Sequence, residues 1–214
     1  MTLTVQSSLT LMSGICWTTV YILIIYRSFK DKIYGMPFWA LAFNVSWEFI
    51  FSLLLVSNPL ALQAIINNVW FAFDIIVMIA YILYGKKDWP ITVSKKWFYP
   101  YLILVLAVSF LFVYLLSVEL DHSRGMYAAF IQNLMMSVLF IRMLLRRGNK
   151  SGQSAGIAIF KLIGTLAPTI IYGQQSRFVL FLGIACFVFD LIYLIMLLNF
   201  EKTQPLKNNV AIAS

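Results

Sequence analysis

Seven stretches of predominantly apolar residues, at roughly 10–26, 36–57, 66–84, 99–117, 125–145, 156–172 and 178–199, take up most of this 214-residue chain. A helix needs about 20 such residues to cross a bilayer. Lipid admits only helices or closed barrels, because every backbone polar group must find its partner within the protein. A barrel would show many alternating segments of about ten residues, whereas these runs are long and continuous. The chain therefore reads as all-α, an integral membrane bundle of seven transmembrane helices. With 62% hydrophobic and 11% charged residues and a mean hydropathy of +0.87, no room remains for a soluble domain. The expected organisation is one transmembrane domain over 1–202 and a short flexible tail over 203–214.

The connections are rich in turn formers and polar residues: Lys30-Asp-Lys-Ile-Tyr-Gly, Ser57-Asn-Pro, Gly85-Lys-Lys-Asp-Trp-Pro, Glu119-Leu-Asp-His-Ser-Arg-Gly, Arg146-Arg-Gly-Asn-Lys-Ser-Gly and Gly173-Gln-Gln-Ser-Arg. Lys and Arg gather in those after segments one, three and five and in the tail, thirteen of the sixteen in all, against Arg124 and Arg177 on the other side. Basic loops stay cytoplasmic, so the N-terminus is expected outside or lumenal and the C-terminus cytoplasmic. The membrane would be the plasma membrane in a bacterium and the endoplasmic reticulum in a fungus. The +8 net charge is then a headgroup-facing charge, and nucleic acid is not an expected partner. The first run lacks a basic leader and a clear cleavage site and reads as a retained helix. Cys16 and Cys186 fall inside spans and offer neither a disulfide framework nor a Cys/His metal constellation. Oligomeric state is not legible.

Three acids interrupt the apolar runs: Glu48, Asp74 and Asp190. A carboxylate in a span costs a few kcal/mol unless it is neutral, paired or facing a polar cavity, so such residues read as functional by default. Helical spacing puts Asn44, Glu48 and Ser52 on one stripe, flanked by Trp47 and Phe51. By the same spacing Asn67, Trp70, Asp74 and Tyr81 share a face, as do Gly183, Cys186, Asp190 and Tyr193. At 1.5 Å per residue the acids lie roughly 13, 12 and 18 Å below the outer ends of their spans, so one pocket can contain all three. A carboxyl buried in low dielectric stays protonated and can act as a general acid, and aromatic faces stabilise a passing cation by up to ~2 kcal/mol each. Together these groups suit protonation of an alkene or epoxide followed by carbocation cyclisation of a lipophilic substrate delivered by the bilayer.

Asn44-Val-Ser-Trp-Glu48, preceded by Tyr34-Gly-Met-Pro, resembles the second-helix signature of the small seven-helix membrane terpene cyclases of fungal meroterpenoid, indole-diterpene and bacterial indole-sesquiterpene pathways. Trp70-Phe-Ala-Phe-Asp74, Lys161-Leu-Ile-Gly-Thr165 and Asp190-Leu-Ile-Tyr193 extend the resemblance from about Tyr34 to Tyr193. The resemblance implies a metal-independent cyclase of prenylated substrates that uses no cofactor, with Glu48 and Asp190 essential. Glu48 is the expected leading donor, Asp190 a second acid that relays or stabilises its proton, and Asp74 a residue of the polar network or of terminal deprotonation. Asn44, Trp47, Trp70, Tyr81, Gln132 and Tyr193 complete the expected binding surface.

Blander readings stand beside these. Intramembrane acids, Asn44, Gln132 and Asn133 also serve as interhelical glue, aromatic faces pack, Trp89 and Trp97 suit an interfacial belt, and His122 suits a solvated loop. Lys161, about two turns inside a basic connection, is expected to snorkel toward headgroups. The alternative is pairing with a buried acid, which makes that acid a worse proton donor. No Asp-Asp-x-x-Asp or Asp-x-Asp-Asp cluster occurs, nor a Gly-rich phosphate loop. The competing function is a small transporter or proton-coupled carrier using the same acids as a relay, with polar residues continuing to both membrane faces. A retinal receptor is disfavoured because segment seven has no Lys, and a pure scaffold would not need a shared aromatic pocket.

Overall fold

In the computed structural model, residues 3–56 and 61–200 are described; the Ser57-Asn-Pro turn and the expected 203–214 tail lie outside the described residues. Seven α-helices account for most of them: α1 (Leu3–Asp31), α2 (Phe38–Phe49), α3 (Leu62–Tyr84), α4 (Phe98–Leu120), α5 (Met126–Arg147), α6 (Ala155–Tyr172) and α7 (Arg177–Asn199). Six are long and apolar enough to cross a membrane. The second is shorter than its apolar run suggests: twelve α-helical residues continue into a five-residue π turn, Ile50–Leu54, and stop.

Local chemistry sets the helix ends. The side chains of Ser154 and Ser176 cap α6 and α7 by accepting from Ile157 N and Val179 N, and Gly148, in the left-handed region, closes α5 after Arg146 and Arg147. Pro168 lies inside α6 and withdraws the N–H that would reach the Gly164 carbonyl. Ser13 Oγ of α1 donates to that carbonyl instead, at 2.8 Å. Gly164 also lets the two helices approach closely, since a Cβ there would run into Trp17 and Cys16. A small residue and a side-chain hydroxyl thus fix α1 on α6, the contact type that lipid-embedded helices favour.

The packing order α1–α3–α2–α5–α7–α6 closes on itself as a ring, and α4 lies outside it against α2 and α5. Outward faces remain apolar, as at Ile103, Leu104, Leu111, Phe181 and Leu198. At one end of the bundle the α1–α2, α3–α4 and α5–α6 connections are clasped together by Arg147. Its guanidinium donates to the Tyr34 and Ser151 carbonyls, both at 2.9 Å, covers the Tyr34 ring at 4.3 Å and lies 3.6 Å from Asp88. Asp31, held by Arg27, accepts from Gly152 N at 2.8 Å. Burial, reinforced by the charge of Asp88, pushes the Tyr34 phenol above its ordinary range. The main apolar core fills this same end, around Phe38, Tyr81, Phe98, Phe140, Leu144 and Tyr193. Both cysteines are free and buried.

Candidate active site

The opposite end of the bundle encloses a cavity of about 630 Å³. Its walls come from α1 (Ser13, Trp17, Tyr21), α2 (Asn44, Trp47, Glu48, Phe51), α3 (Ala64, Asn67, Trp70), α5 (Phe130, Gln132, Asn133, Met136) and the end of α6 (Pro168, Tyr172), with connecting residues at the rim. Glu48 projects into it, 3% exposed. Its Oε2 has no hydrogen-bond partner among the described residues, and neither has Oε1 of Gln132. One turn away, the Asn44 amide nitrogen donates both its hydrogens, one to the Tyr21 hydroxyl and one to Asp74 Oδ2 at 2.9 Å. Asp74 is wholly buried and lies behind Asn44, outside the cavity lining.

Aromatic rings surround these groups. Trp47 tilts against Phe51, centroids 4.7 Å apart, and its Nε1 donates to the Gly125 carbonyl at 2.9 Å. Trp70 donates to Thr18 at 3.1 Å and tilts against Tyr21 at 6.4 Å. Each indole N–H is thereby satisfied, which leaves the ring itself as the surface offered to the cavity. The π turn directly after Phe49 adds a residue to the helical repeat, with Leu55 N bonding to Ile50 O at 2.8 Å. Along this run Asn44, Glu48, Phe51 and Leu55 line the cavity at spacings of four, three and four, the face of a 3.6-residue repeat, while Ser52 is buried outside the lining.

Of the three acids expected to share a pocket, Glu48 alone lines it. Asp190 is sealed between α5, α6 and α7 together with Lys161, and here the snorkelling expectation is corrected. Lys161 is 0% exposed, and its ammonium donates to both Asp190 oxygens at 2.7 and 2.8 Å and to Ser137 Oγ at 2.6 Å. All three of its donors are used. The physical reason is that α6 turns this residue toward the α7 carboxylate, and a buried pair with complete hydrogen bonding outweighs a stretched route to headgroups. The ammonium also lies 5.8 Å from the centroid of Trp17, a cavity wall.

Asn44, Trp47, Trp70 and Gln132 line the cavity as expected, and two of the proposed binding residues do not. Tyr81 belongs to the closed end, stacked on Phe38 at 4.6 Å, and Tyr193 donates to Gln153 at 2.9 Å. Asn133 both lines the cavity and ties α5 to α6 through Thr165 at 2.8 Å. Among the cavity residues missed from sequence are Ser13, Trp17 and Tyr21 of α1. Their four-residue spacing marks one face of α1, but without an acid nothing distinguished that face from packing. Among the described residues, no three His, Cys, Asp or Glu side chains gather as a metal cluster would require.

Comparison with known proteins bears on this arrangement. Residues 2–203 match a family described as Pyr4-like transmembrane terpene cyclases. The chain is 28% identical to the Pyr4-family terpene cyclase mfmH of Annulohypoxylon moriforme, over 96% of this chain and 90% of the relative. It is 25% identical to the terpene cyclase pyr4 of Aspergillus fumigatus, over 91% and 86%, and 30% identical to the terpene cyclase macJ of Penicillium terrestre, over 76% and 64%.

Proposed function

Since the chain belongs to the Pyr4-like transmembrane terpene cyclases and is therefore a multi-pass membrane enzyme, we propose that it cyclises a prenylated, meroterpenoid or indole-terpenoid substrate, without a metal, by proton transfer from Glu48. The observation that carries this is an acid, one oxygen of which has no partner among the described residues, inside an aromatic-walled cavity. The Glu48 O–H bond breaks as the electron pair of an alkene, or a lone pair of an epoxide oxygen, takes the proton. Intramolecular attack by successive double bonds then moves the cation along the chain past Trp17, Trp47, Trp70 and Phe130, whose ring faces stabilise it. Loss of a proton from the last cation to the Glu48 carboxylate restores the acid, and the product is an isomer of the substrate.

Asn44 and Asp74 position the wall beside Glu48. Asp190 acts from outside the cavity: its carboxylate neutralises Lys161 and so steadies Trp17 and α6, a role that replaces direct proton relay. In the orientation the loop charges favour, the cavity end faces outside or the lumen. A proton-coupled carrier would need polar residues running on to the other end, where Phe38, Tyr81 and Phe98 stack instead.

The test is product analysis by mass spectrometry, using membranes given linear prenylated phenols and indoles with and without terminal epoxides. The expected product has unchanged mass and altered retention, forms in the presence of chelator, and is absent with Glu48→Gln. Turnover by Glu48→Gln at a near-native rate would remove Glu48 as donor.

A further inference from the structure

Among the described residues that line the cavity there is one carboxylic acid, Glu48 within it, and one arginine, Arg124 at its rim. Arg124 sits in the connection between α4 and α5, and that connection is built rather than slack. His122 and Ser123 both adopt left-handed backbone conformations, with φ of 47° and 61°, each costing about 1 kcal/mol or more for a residue with a Cβ. The surroundings over-determine them. Ser123 N donates to Ser117 O at 2.8 Å and Arg124 N to Asp121 O at 2.9 Å. Asp121, itself buried, accepts from Tyr127 N at 2.9 Å. Gly125, at φ 71°, lies so close to the Phe51 ring that a Cβ there would overlap it, and its carbonyl is held by Trp47. The loop thus hangs on the same two aromatic residues that flank Glu48.

The lining of α5 runs from Met126 beside this loop to Met136, ten residues or about 15 Å of helix. Gln63 and Gln175 join His122 and Arg124 at the rim. A polar, cationic rim over a deep aromatic chamber is complementary to an amphipathic molecule entering tail first. We infer that the rim is a headgroup subsite, in which Arg124 holds the acidic oxygen of an aromatic acid or enol headgroup while the prenyl tail reaches down to Glu48. The inference rests on the cyclase reading of the cavity and adds the class of headgroup and the residue that selects it. A guanidinium suits the task because its planar fork pairs with two oxygens at once.

The test uses a matched pair, a farnesylated hydroxybenzoic acid and its methyl ester, with membranes carrying wild type, Arg124→Gln or Arg124→Lys. Wild type should take the acid at the lower KM. Arg124→Gln should raise KM for the acid by about tenfold, the scale of one partly screened charge-assisted hydrogen bond, with kcat and the ester constants held, and Arg124→Lys should recover part of the loss. An equal shift for acid and ester, as an arginine that merely holds a lipid phosphate would give, overturns the inference, and so does no shift. If wild type converts neither compound, quenching of tryptophan fluorescence by each one separates the two ideas. Acid bound more tightly than ester, with the preference lost in Arg124→Gln, upholds the subsite while the cyclase reading falls for these compounds; equal binding overturns the subsite itself.

Discussion

Glu48 and Asp190 are almost equally hidden, at 3% and 1% exposure, yet their surroundings are opposite. Around Asp190 an ammonium and a hydroxyl leave no donor of Lys161 unused, and the group lies apart from the cavity. Around Glu48 one oxygen is left without a partner among the described residues, in a cavity of about 630 Å³. Burial alone therefore says little about what an intramembrane acid does. A carboxylate matched by a cation holds helices together, whereas one left unmatched beside a cavity is available to react.

This contrast can be broken most severely at Glu48. Glu48→Gln should cost about 10²–10⁴-fold in cyclisation rate, the usual share of a positioned general acid, while detergent-solubilised protein melts near the wild-type temperature. Loss of folded protein instead would place Glu48 with Asp190 on the structural side. The second test separates charge balance from chemistry. Asp190→Asn or Lys161→Met alone leaves a buried charge without its partner and should destabilise by about 3–5 kcal/mol, whereas Lys161→Met with Asp190→Leu should recover most of that stability. Thermal melts read the stability, and product formation by the double variant reads the chemistry. A double variant that melts like wild type but makes no product would return Asp190 to the reaction.

Smaller effects sharpen the picture around these poles. Asp74→Leu, which removes the acceptor that fixes the Asn44 amide, should slow turnover by about tenfold, the effect of one buried hydrogen bond; an unchanged rate would show that the network behind Asn44 is only packing. Ser13→Ala should cost about 1–2 kcal/mol of thermal stability by leaving the Gly164 carbonyl unpaired beside Pro168, with little change in rate per folded molecule.

Much of this was legible in the sequence because lipid imposes long apolar runs and makes every interruption conspicuous. The helices follow from run length, and the shared face of Asn44 and Glu48 beside Trp47, like that of Trp70 on α3, follows from 3.6-residue spacing. What escaped depended on relations between helices. Lys161 looked close enough to a basic connection to snorkel, and only the packing of α6 on α7 shows the carboxylate that keeps it inside. Ser52 shared the i+4 spacing from Glu48, but the cavity face continues through Phe51 and Leu55 instead. Tyr81 and Tyr193 lie on the buried faces of their helices, but helical periodicity carries no information about which end of the bundle holds the cavity.

The clasp at the closed end carries a kinetic consequence. With Arg147 binding three connections together over a stacked aromatic floor, on the proposed cyclase reading the polar rim at the far end is the doorway for both arrival and departure. A flexible chain that enters there must leave as a rigid, bulkier ring system through the same opening, so product should compete directly with substrate, and release should slow as the rings grow larger.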